Sequence, residues 1–216
     1  MSTHPHPAED VLWDYYRGAL TPGQSLVVAA HLDMCPACRE DIRLFDAVGG
    51  VMFNDIEGVA MADNALDLAL ARIERPEEGV ESAAVKHPGF LEGFELPESL
   101  KSAVIKDRYW AAPGVWMAPI QIDGSKAEKT YLMFVKAGMV MPEHTHRGSE
   151  ITLVLKGRFS DKFGEYNIGD MASCDENDSH SPAIAADEDC LCLVWQDATI
   201  IPKTFLGKLL QPFARI

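Results

Sequence analysis

The stretch GMVMPEHTHRGSEITLVLKG, residues 138–157, sets His144 and His146 two positions apart, ahead of Glu150 and a run of apolar residues. In an extended segment residues i and i+2 leave the same face, so both imidazoles point one way. Glu150 returns to that face after the turn at Gly148. His180, further along the chain, completes a set of three histidines and one glutamate, donors suited to Zn, Fe, Mn or Ni. Gly138 and Gly157 bracket the segment where the chain must turn. On either side lie KTYLMFVK (129–136), the continuation into GRFS (157–160) and DCLCLVWQ (189–196), separated by Gly, Pro and Asp clusters. Short apolar runs at such intervals predict an all-β sandwich or barrel over residues 91–216.

Upstream the period changes from two to helical. EDVLWDYYR (9–17) stops at Gly18, and Thr21-Pro22 with Gln24 three positions after the threonine is a capping box with proline at the first helical position. That helix carries Leu26, Val27, Ala30 and His31 and ends near Asp33. A third helix starts at Pro36 and is expected to end at Gly49 and Gly50. In DNALDLALARIER (63–75), Leu66, Ala69, Leu70 and Ile73 fall on one helical face, and Pro76 closes the segment. Residues 77–90 have turn formers, charge and no period, and read as a linker. The expectation is α+β and multidomain: a small all-α metal-binding domain over 1–76, a linker, and an all-β domain.

The chain has 216 residues, 47% apolar and 24% charged, the balance of an ordinary globular protein. Its five cysteines are an odd number, and the N-terminus has neither a basic nor an apolar leader region. A disulfide framework is therefore not expected, and a cytoplasmic location is. No run has the roughly 18 apolar residues of a membrane span. The net charge is −14, and the first 80 residues hold 14 acidic against 5 basic side chains. Such a field repels nucleic acid and suits a basic protein partner, although acidity also serves solubility alone.

His31-x3-Cys35-x2-Cys38 puts a histidine one helical turn before a CxxC that straddles the start of the third helix. The helix N-terminus favours thiolate, and the spacing is that of a zinc site. A fourth ligand is required, and His4 and His6 are the nearby candidates. Cys190 and Cys192, at i and i+2 on a strand, are either a thiol pair open to joint oxidation or plain core. Cys174, by position, can approach His180.

The pattern GxxxxxHxHxxxExxxxxxG over 138–157 resembles the first cupin motif at every named position. The second is matched less fully: GDMASCDENDSHSP (169–182) lacks the usual Pro-x-Gly, and Gly169 and His180 align. A helical HxxxCxxC domain joined to this cupin is similar to the ChrR-type zinc anti-sigma factors. The matching residues are His6, QSLVVAAHLDMCPAC, DAVGG, HRGSEITLVLKG, DCLCL and LLQPFARI. The resemblance implies a jelly-roll fold for the second domain. It also implies Zn²⁺ on His6, His31, Cys35 and Cys38, and a divalent metal on His144, His146, Glu150 and His180. By the same resemblance the protein is not an enzyme. Its zinc domain would bind an extracytoplasmic-function (ECF) sigma factor, and its cupin would release that partner under singlet oxygen or peroxide. Two other classes compete: a cupin dioxygenase or isomerase with an accessory zinc domain, and a DNA-binding zinc module, for which the acidity has the wrong sign.

Overall fold

The structure is a computed structural model, and it describes residues 5–74, 85–123, 128–198 and 200–202. Four helices form the head: α1 (Glu9–Tyr16), α2 (Pro22–Met34), α3 (Pro36–Asn54) and α4 (Ala65–Ile73). The capping box is formed as expected, with the Thr21 hydroxyl accepting from the Gln24 amide and the Gln24 side chain accepting from the Thr21 amide. Cys35 separates α2 from α3, and its sulfur accepts the Cys38 N–H at 3.5 Å, so a metal-site residue doubles as the N-cap.

One expectation is corrected. Helix α3 does not end at Gly49 and Gly50 but runs through them to Asn54. Glycine costs a helix only about 1 kcal/mol relative to alanine. A Cβ at position 49 would lie 2.9 Å from the Tyr16 hydroxyl, so this glycine makes room for the ring of α1 rather than stopping the helix. Pro76 and residues 77–84 of the expected linker lie outside the described residues.

A 3-10 turn at Gly89–Leu91 and the short helix α5 (Glu98–Lys101) lead into twelve strands. They are β1 (Tyr109–Ala112), β2 (Val115–Pro119), β3 (Lys129–Val135), β4 (His144–His146), β5 (Glu150–Lys156), β6 (Phe159–Asp161), β7 (Gly164–Tyr166), β8 (Met171–Cys174), β9 (Ser179–His180), β10 (Ala183–Ile184), β11 (Cys190–Gln196) and β12 (Ile200–Pro202). A six-stranded sheet in the order β1-β2-β3-β11-β5-β8 forms one wall. Two three-stranded sheets, β10-β6-β7 and β12-β4-β9, form the other, and every pairing is antiparallel.

Alternation along the large sheet sorts its side chains into two cores. Val115, Met117, Tyr131, Val154, Cys190, Cys192 and Val194 face inward and fill the barrel. Trp116, Leu132, Leu153, Leu191, Leu193 and Trp195 face outward, and the helical head packs on them. The two parts therefore share one core. Helix α2 buries the consecutive residues Val27 and Val28, which point in different directions, because it is wedged between its own neighbours and the sheet. At Gly23 the helix backbone comes so close that an added Cβ would meet Trp195 at 2.6 Å. Polar bonds fix the seat: Thr21 donates to Glu128 across the interface, and the Asp33 carboxylate accepts the Ser99 amide at 2.7 Å.

Candidate metal centres

Two clusters of metal-ligating side chains stand out among the described residues: His6, His31, Cys35 and Cys38 in the head, and His144, His146 and His180 in the barrel.

In the head, His31 from the last turn of α2, Cys35 at the helix junction and Cys38 from the first turn of α3 converge, and His6 arrives from the segment before α1. Nε2 of His31 lies 3.3 Å from the Cys38 sulfur, and Nδ1 of His6 lies 3.5 and 3.4 Å from the sulfurs of Cys35 and Cys38. With Zn–S near 2.3 Å and Zn–N near 2.0–2.1 Å, a tetrahedron has nitrogen–sulfur edges of about 3.6 Å. The observed spacings are those of such an edge set. Burial pushes the Cys38 thiol up to about 12 and His31 down to about 4. A neutral imidazole keeps its lone pair, and a cation among the sulfurs would offset the cost of a buried thiolate. His6 is the fourth member of this cluster, and His4 lies outside the described residues.

In the barrel, His144 and His146 from β4 and His180 from β9 bring their Nε2 atoms together. His180 stands 3.0 Å from His144 and 3.2 Å from His146, short enough for one ion to span all three. Strand pairing produces this, since His144 is directly opposite His180. Two of the three rings are held at the far nitrogen. His144 donates Nδ1–H to the Pro142 carbonyl at 2.8 Å, and His180 Nδ1 is 2.9 Å from an Asp161 carboxylate oxygen. Such partners fix which nitrogen faces the metal. Burial holds His144 and His146 down at about 4, hence neutral.

Glu150 faces the same cavity but stands outside the three-histidine cluster. One carboxylate oxygen accepts from Thr152 at 3.2 Å and the other lies 3.6 Å from His146 Nδ1. Burial raises its carboxyl to about 7. Cys174 approaches His180 as its position suggested, with Sγ 3.7 Å from Nδ1. Cys190 and Cys192 point into the barrel with their sulfurs 3.6 Å apart. The cavity lined by His144, His180, Glu150, Cys174 and this pair measures about 60 Å³. A larger open cleft of about 620 Å³, beside Lys106, Tyr109 and Tyr131, contains none of the clustered ligands.

Sequence reasoning missed Asp161, which no motif spacing marks, and the carbonyl of Gly169, which accepts from His31 across the interface at 2.8 Å. Leu12 of α1 is buried in the core, while exposed apolar surface runs from the end of α3, with Phe53 at 74%, through Val59 and Met61 to α4, which buries no residue.

A helical head with a zinc-finger-like His/Cys cluster, set on a cupin barrel with a three-histidine cluster, defines a two-part protein with two candidate metal centres. Family comparison agrees with both halves: residues 7–39 match a putative zinc-finger family and residues 103–199 match the ChrR cupin-like domain. The chain is 33% identical over 221 residues to the anti-sigma-E factor ChrR of Cereibacter sphaeroides, covering all of both chains. The chain belongs to the ChrR anti-sigma factor family, a family of regulators rather than enzymes. Among solved structures it resembles that of Rhodobacter sphaeroides SigE in complex with the anti-sigma ChrR, at 29% identity and a TM-score of 0.70, covering 89% of this chain and 98% of that one. An RmlC-like cupin protein from Ralstonia eutropha aligns over 49% of this chain and 69% of its own, at 20% identity and a TM-score of 0.42. No helix among the described residues is long and apolar enough to cross a membrane.

Proposed function

We propose that this chain is an anti-sigma factor whose helical head holds an ECF sigma factor away from RNA polymerase, and whose cupin triggers release on an oxidative signal. The observation that carries the reading is the apolar surface at the end of α3 and along α4 that stays exposed among the described residues. Helix α4 is nine residues long and buries nothing, with Ile73 at 79% exposure. Isolated helices of that length are marginal in water, so its stability has to come from a surface that covers Leu66, Leu70 and Ile73. An acidic head suits a partner that is itself basic because it binds DNA. A cytoplasmic location goes with this reading.

His6, His31, Cys35 and Cys38 would hold zinc, tying the N-terminal segment, α2 and α3 together. His144, His146 and His180, with Glu150 turned inward, would hold Zn, Fe, Mn or Ni, supplying a Lewis-acidic or redox-active centre to the cavity. That cavity suits a small oxidant better than an organic substrate, whose pockets run from about 300 Å³ upward. The hydrogen bond with Cys190 and burial keep the Cys192 thiol well above its ordinary value, so that thiol is protonated at rest. It is a slow nucleophile until its surroundings change. Hydrogen peroxide could still join the two sulfurs, each thiol giving up its proton and one electron as the O–O bond is cleaved to two waters.

The test is co-purification of the full chain with its sigma factor, followed by exposure to singlet oxygen or peroxide. A stable complex that dissociates on exposure is expected. Failure to form any complex would overturn the reading, and a complex indifferent to both oxidants would remove the cupin's part in it.

A further inference from the structure

We propose that the cupin completes the head's metal centre: the segment Asn167–Met171 positions two of its four ligands, so that ion affinity and docking of the head rise and fall together. The inference rests on the zinc reading of His6, His31, Cys35 and Cys38.

The first of the two ligands is His31, whose Nδ1–H donates to the Gly169 carbonyl at 2.8 Å and leaves Nε2 directed at the cluster. A backbone carbonyl in this position fixes tautomer and ring orientation and raises the basicity of the ligating nitrogen. His31 is 1% exposed, so the acceptor cannot be replaced by bulk water. The second is His6. The residue before it, Pro5, accepts the N–H of Met171 at 3.1 Å. Met171 opens β8, the edge strand of the large sheet, and this bond uses an edge that would otherwise be unpaired. The segment bearing His6 is thus tied to the cupin through its backbone, while its imidazole reaches the helices.

The supporting turn is itself rigid. Gly169 donates its N–H to Val154 at 2.9 Å, Asp170 donates its own to Asn167 at 2.9 Å, and the Asp170 carboxylate accepts the Asn167 N–H at 2.7 Å. Gly169 has φ +89°, a conformation L side chains rarely adopt, and this is what aims its carbonyl. Whatever docking adds to zinc affinity, zinc must return to docking, because the coupling is reciprocal.

The test compares zinc affinity, by chelator competition, in the full chain, in Gly169→Ala and in Gly93→Ala. Gly93 has nearly the same φ, +88°, with open space around it, so it carries the same backbone strain away from the head. Removing a partner of this kind costs about 10- to 100-fold in metal affinity. A loss of that size in Gly169→Ala alone is expected. Equal affinity in all three, or equal losses in both variants, would overturn the proposal. Should Gly169→Ala fail to fold, amide exchange in the unaltered protein decides: on zinc removal the Met171 N–H should exchange at least tenfold faster while Leu193 in the central strand does not, and an unmoved Met171 overturns the proposal. A full chain that binds no zinc, or keeps it in Cys35→Ser/Cys38→Ser, would instead show that the zinc reading itself is wrong.

Discussion

His144 and His180 each use one ring nitrogen to hold the other in place, and that division of labour sets what single substitutions should do. Asp161 is not a member of the histidine cluster, yet it faces His180 Nδ1 at 2.9 Å, where it can orient that ring. Asp161→Ala should weaken metal binding in the barrel by about 10- to 100-fold, read by chelator competition, while leaving the fold intact. The ligands themselves are a harsher test. A His144→Ala/His146→Ala variant should lose the barrel metal by elemental analysis and still bind the sigma factor, but fail to release it under oxidant. Normal release from that variant would take the signal away from the cupin site. His144, His146 and the CxxC were legible because their spacing is itself a geometric statement. Asp161 and the Gly169 carbonyl were not, because their role depends on which strand or turn comes to lie against a histidine.

Among the elements, α3 and α4 diverge most from what an isolated chain should tolerate. Phe53 sits at the end of α3 and Leu70 in the middle of α4, both exposed. Replacing them by glutamate should change the stability of the free chain by less than about 0.5 kcal/mol, since neither belongs to a buried core among the described residues. Binding of the sigma factor should fall by about 2 kcal/mol or more if either is an anchor of the interface, roughly a 30-fold loss by titration calorimetry. Their helical periodicity was visible in the chain. What it could not reveal is that the apolar stripe of α4 joins neither buried core among the described residues, or that Gly49 passes a tyrosine ring instead of ending α3.

For the whole molecule, the shared core between α2 and the outer face of the large sheet has thermal consequences. Val27, Val28, Leu153, Leu193 and Trp195 lose water together, so the metal-loaded chain should unfold in one calorimetric transition rather than two. Complete zinc removal should loosen the head first, visible as reduced helical circular dichroism while the strand signal persists, because zinc-site binding is folding free energy for a unit with a modest core. Unchanged helical signal after removal would mean that docking on the sheet alone holds the helices. The strand β8 lies between the two centres: its first residue bonds the segment bearing His6, and its last, Cys174, approaches His180.

The sequence alone determined the helical and β halves, the positions of both ligand motifs and the family resemblance. Each of these is written in local spacing: a period of 3.6 or 2, a capping box, HxxxCxxC, HxHxxxE. Only the tertiary structure decided that the halves share a core, that Glu150 meets the far nitrogen of His146 and does not join the three-histidine cluster, that Asp161 and the Gly169 carbonyl meet the outer nitrogens of His180 and His31, and which apolar face is left uncovered among the described residues. These depend on which distant segments pack against each other, and local spacing does not encode that.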